Sequence, residues 1–415
     1  MRVSETSRSE PALFAWLRDA PRASRRALFG ASMGWLLDSF DIMLYALVLA
    51  SLMDELGMAK ATAGLLGSLT LIAGAAGGVL FGVLADRFGR KRALMGSIFL
   101  YSIFTGACGL SQTILELAIF RVLLGFGMGG EWASGASLVS ETWSTEHRGK
   151  ALGLMQSSWA IGYAAAAVVT AIVLPRWGWR AVFFVGVLPA FATLWVQWRI
   201  EEPEIWREAR ALPGGFGEMF RGELLPLTTA VTLMNACTMF AWWGFNLWIP
   251  AYLSLPVTQG GIGLSAAAMS GFIVAMQVGM WFGYVSYGFI SDRVGRKITY
   301  IVYLLAAAVL ILAYSMTRHP LTLLVLGPFV SFFGTGYFSG FGAVTAEIYP
   351  TRIRATAQGF TYNIGRLASA AAPFIVGSLA ESRGFGIALS SAAIAFVLAA
   401  VMWVWIPETK GRALA

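Results

Sequence analysis

Long apolar runs separated by short polar breaks occupy almost the whole chain. Runs long enough to cross a bilayer, about 20 residues each, recur near 27–53, 62–85, 93–111, 114–141, 149–174, 178–199, 224–254, 265–290, 298–316, 321–349, 354–380 and 384–406. The pattern predicts an all-α membrane protein that crosses the bilayer twelve times and returns both termini to one side. The longest interior polar stretch, Glu201 to Glu223, divides the runs into two sets of six. The expected organisation is an N-terminal segment 1–26, a first six-helix bundle 27–199, a linker 200–223, a second bundle 224–406 and a tail 407–415.

The basic residues orient this arrangement. Of the 30 Lys and Arg, only Lys60, Arg176, Arg180, Arg318 and Arg383 fall in the loops opposite the termini, and only Arg121 and Arg366 fall inside predicted helices. Loops rich in Lys and Arg stay cytoplasmic, so both termini and the linker are expected in the cytoplasm, with the chain as a multi-pass protein of the cell inner (plasma) membrane. Met1 to Arg26 is polar and Arg-rich, without the short apolar core and cleavage site of a signal peptide.

Composition agrees. With 57% hydrophobic and 13% charged residues, a chain of this length cannot cover a soluble surface. Its 47 glycines suit helices that approach closely in lipid. The net charge of +8 is spread over short clusters between apolar runs, which excludes the basic face of a nucleic-acid binder. Cys108 and Cys237 lie in apolar runs and His147 and His319 in loops, so no metal or cofactor site is expected. No nucleophile–base pair suggests an enzyme.

The two halves repeat. Gly82-Val-Leu-Ala-Asp86-Arg87-Phe-Gly-Arg90-Lys91 returns as Gly288-Phe-Ile-Ser-Asp292-Arg293-Val-Gly-Arg296-Lys297, and Glu141, Arg148 and Gly153 return in the same register as Glu347, Arg354 and Gly359. Such coincident matches mark an internal duplication, two bundles in parallel orientation.

These loop motifs resemble the G-x-L-x-D-R-x-G-R-K signature of the major facilitator superfamily, and the resemblance covers essentially the whole chain. Pro407-Glu408-Thr409-Lys410-Gly411 is similar to the C-terminal signature of sugar porters. The helix-four run from Arg121 to Trp132, with Trp35 to Asp41, resembles instead proton symporters of organic acids, the sialate and lactate group and the aromatic-acid group. Where sugar porters carry a Gln-Gln-x-Ser-Gly segment in helix seven, this chain reads Met239-Phe-Ala-Trp-Trp-Gly-Phe-Asn-Leu-Trp248. The resemblance implies two pseudo-symmetric six-helix bundles, a central substrate site and alternating access.

Charges inside spanning helices cost about 2.5–3.5 kcal/mol each on insertion scales and are retained for a reason. Asp38, Asp41, Arg121, Glu131 and Arg366 are such positions. At a rise of about 1.5 Å per residue, Asp41, Glu131 and Arg366 fall near the midplane, where substrate sites of these folds lie. Arginine keeps its proton and its fork fits a carboxylate. Arg366 is therefore either the substrate anchor or one half of a structural pair. Asp41 is the expected proton carrier, and the resemblance implies that Arg121 pairs with it. Asp38 is either a relay carboxylate or a hydrated vestibule residue; Glu131 is an alternative carrier or a support for Arg121 or Trp132. Gln156, placed like a substrate-contacting glutamine of sugar porters, binds substrate or joins two helices. Among many aromatics, Trp159, Tyr337 and Tyr362, with Asn246, are expected to face the cavity. The loop residues Asp86, Arg87, Arg90, Glu141 and Arg148, and Asp292, Arg293, Arg296, Glu347 and Arg354, are expected to hold the cytoplasmic gate.

The expected function is import of a small organic acid, a monocarboxylate of aromatic or related kind, with protons and through alternating access. The partners are then the lipid bilayer, the organic anion and protons, with the protein acting as a monomer. A proton-coupled sugar or polyol porter and a drug or metabolite exporter are the alternatives.

Overall fold

The computed structural model describes residues 15–88, 90–143, 145–198, 216–350 and 353–410. The first set of helices comprises α1 (Arg22–Leu56), α2 (Lys60–Phe88), α3 (Arg90–Cys108), α4 (Ile114–Thr142) and α5 (Thr145–Trp198). The second comprises α6 (Leu224–Ser254), α7 (Ala266–Val294), α8 (Arg296–Met316), α9 (Pro320–Gly336), α10 (Phe338–Ile348), α11 (Arg354–Ser369), α12 (Ala371–Arg383) and α13 (Phe385–Met402). The described residues contain no strand. Among the described residues, eight helices are long and apolar enough to cross a membrane.

Local chemistry sets where the helices start and stop. Thr113 caps α4 by accepting from the Glu116 amide at 3.2 Å, while the Glu116 carboxylate accepts from the Gln112 amide at 2.8 Å. This satisfies backbone donors that a helix start leaves unpaired. Ser265 caps α7 in the same way. Gly57 ends α1 in the left-handed region, φ 60°, a conformation that favours glycine. At Gly178, φ 74° and ψ 178° break α5 into two legs, which correspond to the separate runs expected at 149–174 and 178–199. Conversely, the runs expected at 321–349 and 354–380 are each two helices, meeting at Tyr337 and Ala370.

Glycine governs the closest crossings. In the first set, Gly77 lies against the Phe126 carbonyl, and Gly129 against the Gly74 carbonyl and Gly78 amide, leaving no room for a Cβ between α2 and α4. In the second set, Gly279 and Gly283 meet the Pro328 and Phe332 carbonyls, so α7 and α9 cross in the same manner. The two seams fall in the same repeat register. In lipid, such backbone approach replaces the hydrophobic drive that joins helices in water.

The sets meet chiefly along α5 with α7, α2 with α12, and α1 with α6, and also where α11 touches α2. At the end carrying the α1–α2 turn, contact is tight. Lys60 Nζ donates to the Gln259 carbonyl at 2.9 Å and sits 5.1 Å from the Phe385 ring centroid. The Ala61 amide donates to the Glu381 carboxylate at 3.0 Å. Gly64 and Gly377 allow α2 and α12 to touch backbone to backbone.

Candidate functional site

Three residues of α1, Trp35, Asp38 and Asp41, follow one another at single helical turns, and all are buried. Asp38 faces Arg366 of α11 across the junction between the sets, near enough for direct electrostatic interaction. Tyr362, one turn before Arg366, shares that environment, and its ring packs 6.0 Å from Phe341. The Arg366 guanidinium lies over Gly74 of α2, where a Cβ would come within 3.1 Å of Nη2. Among the described residues no carboxylate reaches ion-pair distance of this guanidinium. Asn235 of α6 fixes the turn that carries Arg366 and Tyr362, donating to the Thr361 carbonyl at 3.1 Å and the Tyr362 carbonyl at 3.4 Å.

Asp41 points elsewhere. It is fully buried beside Gly186 of α5 and Thr105 of α3, and neither carboxylate oxygen has a hydrogen-bond partner. The Thr105 hydroxyl is used on the Tyr101 carbonyl at 2.9 Å. The expected pair of Asp41 and Arg121 is not formed. Arg121 of α4 instead lies with its guanidinium carbon 3.9 Å from the centroid of the Tyr45 ring, leaving Nε and Nη1 unpartnered. The reason is level: Tyr45 is a turn beyond Asp41, about 6 Å along the helix axis, and Arg121 meets α1 there. Cys108 sits between the two charges and interacts with both.

An aromatic cluster bridges the sets beside Asp38. Trp35 and Trp159 pack at 4.7 Å, Trp159 and Trp242 at 5.6 Å, and Trp242 and Trp243 at 4.6 Å between ring centroids. Gln156, one turn before Trp159, meets Tyr284 of α7, which also adjoins Thr335. Asn246 donates to the Trp242 carbonyl at 3.2 Å and lines a small cavity with Trp242, Ser331 and Thr335. Tyr337 does not face this centre. It is drawn into the second set, packed on Tyr300 and Phe338, with its hydroxyl donating to the Thr238 carbonyl at 3.3 Å. Tyr337 stands at the junction of α9 and α10.

Of the expected gate, the side chains of Asp86, Arg87, Arg90, Glu141, Arg148, Asp292 and Arg354 lie outside those described, as does that of Glu131. The remaining gate residues join a network with the tail. Arg296 donates to Ser291 Oγ at 2.6 Å and meets Glu347 at 3.5 Å; Glu347 accepts from the Thr409 hydroxyl at 2.5 Å. Arg293 is exposed, and its carbonyl accepts from Lys410 Nζ at 2.7 Å. Glu408, which sequence reasoning did not single out, caps α8 by accepting from the Arg296 and Lys297 amides at 2.9 and 3.1 Å. Its place in the Pro-Glu-Thr-Lys-Gly run was the available signal. Asn235 and Glu381 were also missed, and neither carries a motif.

Paired sets of lipid-length helices, meeting at a buried centre of charges and indoles, define a membrane carrier. The chain belongs to the Major Facilitator Superfamily, whose family model matches residues 31–286 and 254–415. It is 35% identical over 405 residues to a Haemophilus influenzae protein assigned to metabolite transport, covering 94% of this chain and 97% of that one. It is 31% identical over 399 residues to the cis,cis-muconate transport protein of Acinetobacter baylyi, covering 92% and 94%. Among solved structures, the xylose transporter XylE of E. coli in a partially occluded inward-open conformation superposes with a TM-score of 0.76. That match has 19% identity and covers 95% of this chain and 100% of that one. This protein is therefore a multi-pass inner-membrane transporter and not an enzyme.

Proposed function

We propose that this protein imports a small organic monocarboxylate together with a proton by alternating access between its two bundles. Counting both legs of α5, and α9–α10 and α11–α12 as one crossing each, the reading has twelve spans. The bundles are then 27–199 and 224–406, joined by the linker 200–223. The basic loops put the N-terminal segment 1–26 and the tail 407–415 in the cytoplasm.

The observation that carries the reading is Arg366, a buried arginine at the junction of the bundles with no carboxylate bound to it among the described residues. A planar guanidinium held over Gly74, with Tyr362 beside it, suits a carboxylate on an unsaturated body. Asp38 supplies the coupling. While Arg366 is free, its charge favours ionised Asp38; a bound anion cancels that charge, and a proton on Asp38 then accompanies the cargo. Asp41, the carrier expected from sequence, is the second buried carboxyl of the path and has no contact with Arg366. Loops near Arg296, Glu347 and Glu408 close the cytoplasmic side in the opposite state.

One proton with one monoanion moves no net charge, so the pH gradient drives uptake at about 1.4 kcal/mol per unit. Uptake of radiolabelled acid into proteoliposomes tests this. It is expected to vanish without a pH gradient, to ignore a valinomycin-clamped potential, and to be lost in Arg366→Ala. Strong potential dependence would rule out that stoichiometry, and uptake unaffected in Arg366→Ala would rule out the anion site.

A further inference from the structure

Three of the buried indoles between the bundles have nothing to donate to. Nε1 of Trp35, of Trp159 and of Trp242 is enclosed and has no acceptor, in residues that are 6%, 5% and 5% exposed. Buried donors without partners are rare, and each calls for an explanation. These three are not scattered: their rings form one contact chain from Trp35 through Trp159 to Trp242. The chain also crosses the junction, since Trp35 and Trp159 belong to the first bundle and Trp242 to the second. Trp35 is one turn from Asp38, and Trp159 is one turn from Gln156, so the donors share helix faces with the polar residues of the centre.

We infer that these indole N–H groups form a second recognition point for the cargo, taking a neutral acceptor atom of a molecule whose carboxylate is held by Arg366. This inference rests on the organic-acid reading and narrows it. Indole nitrogen donates only, so the atom it meets must be an acceptor: a ring carbonyl or lactone oxygen, a phenolic oxygen or a pyridine-type nitrogen. The surroundings argue against a second carboxylate. Asp38 is adjacent to the cluster, Arg366 interacts with Asp38, and Arg121 is turned onto Tyr45. A dianion would set one carboxylate beside Asp38 with no countercharge. The ring-to-ring packing of the cluster favours a flat body between the two recognition points. The cargo class is thus a planar monocarboxylate with one neutral acceptor away from the acid.

Calorimetric titration of the purified full-length protein tests this with benzoate, nicotinate, 3-hydroxybenzoate and terephthalate, followed by cis,cis-muconate. Nicotinate or 3-hydroxybenzoate is expected to bind at least about tenfold more tightly than benzoate, the scale of one well-placed hydrogen bond. Both dicarboxylates are expected to bind more weakly than benzoate. The decisive quantity is the affinity ratio of the acceptor-bearing acid to benzoate. It is expected to fall to about one when the responsible indole is changed to Phe, at position 35, 159 or 242. Replacement of the same tryptophan by β-(3-benzothienyl)alanine removes the N–H and keeps the ring shape, so a Phe variant that misfolds does not end the test. Equal affinity for benzoate and the acceptor-bearing acids, tighter dicarboxylate binding, or a ratio that survives all three isosteric replacements would overturn the inference. In each of those outcomes, carboxylate binding that is lost in Arg366→Ala would leave the organic-acid reading standing. Absence of carboxylate binding altogether would overturn both.

Discussion

The two bundles share a scaffold and differ in what they bury. In the first, α2 and α4 cross along Gly74, Gly77 and Gly129; in the second, α7 and α9 cross along Gly279 and Gly283 in the matching register. The interior does not follow the repeat. The register partners of Asp38, Asp41 and Arg121 are Gly244, Leu247 and Gly327, and that of Arg366 is Ala160. Among the described residues, the first bundle buries Asp38, Asp41 and Arg121 along with Tyr45, Tyr101 and Tyr163. The second buries no carboxylate, has Arg366 as its one buried arginine and holds a larger set of tyrosines, among them Tyr284, Tyr287, Tyr300, Tyr314 and Tyr337. Duplication preserved the glycine seams because backbone contact tolerates no side chain. The charges were under no such constraint, and the two halves differ in them.

The largest effect expected from this division is loss of uptake in Arg366→Ala by at least about a hundredfold, the scale of removing one partner of a buried charged contact. Proteoliposome uptake measures it, and Arg366→Lys should recover only part because a bidentate fork is lost. Asp38→Asn should separate the two roles: exchange of labelled for unlabelled acid persists, while pH-driven accumulation fails. If accumulation survives in Asp38→Asn and fails in Asp41→Asn, the carrier is the deeper carboxylate.

The seams should respond alike despite the different interiors. Gly77→Val and Gly283→Val each insert a side chain where a carbonyl lies, and overpacking of this kind costs about 1–3 kcal/mol. Melting of the detergent-solubilised variants should fall by similar amounts, and a large asymmetry would break the equivalence of the bundles. Gly74→Ala, which crowds Arg366 as well, should weaken acid binding beyond its effect on stability.

The smallest expected effect lies in the tail. Burial alone would raise the Glu408 carboxyl, but the amides of Lys410, Arg296, Lys297 and Thr409 donate to it and hold it below its ordinary 4.5. A carboxyl with a lowered folded value stabilises the fold above its unfolded value and loses that contribution as pH falls through the folded one. The melting temperature should therefore drop on acidification below about pH 4.5, and Glu408→Gln should flatten part of that drop.

Much of this architecture was legible in the chain. The apolar runs, the basic loops and the repeated Asp-Arg-x-Gly-Arg-Lys motifs are properties of single residues and their spacing, and they survive in the structure as helices and repeat register. What did not follow from spacing was rotation and interruption. Asp38 and Asp41 differ by three residues, about 60° of helical phase, which is enough to turn one toward Arg366 and the other toward Thr105. A continuous run at 321–349 gave no sign that the helix is interrupted at Tyr337 or that this side chain packs on Tyr300 and Phe338. The unpartnered indoles were equally invisible, because a donor's lack of an acceptor is a property of the packed neighbourhood.

Glu381 and the Ala61 amide have one more consequence. The first N–H groups of a helix have no partner within it, and here the partner of one comes from the opposite bundle. If the face carrying the α1–α2 turn opens in the transport cycle, that amide turns to water, and closure covers it again. Its deuterium uptake would then report the opening of that face, making the start of α2 a monitor of the cycle that needs no attached probe and no cargo.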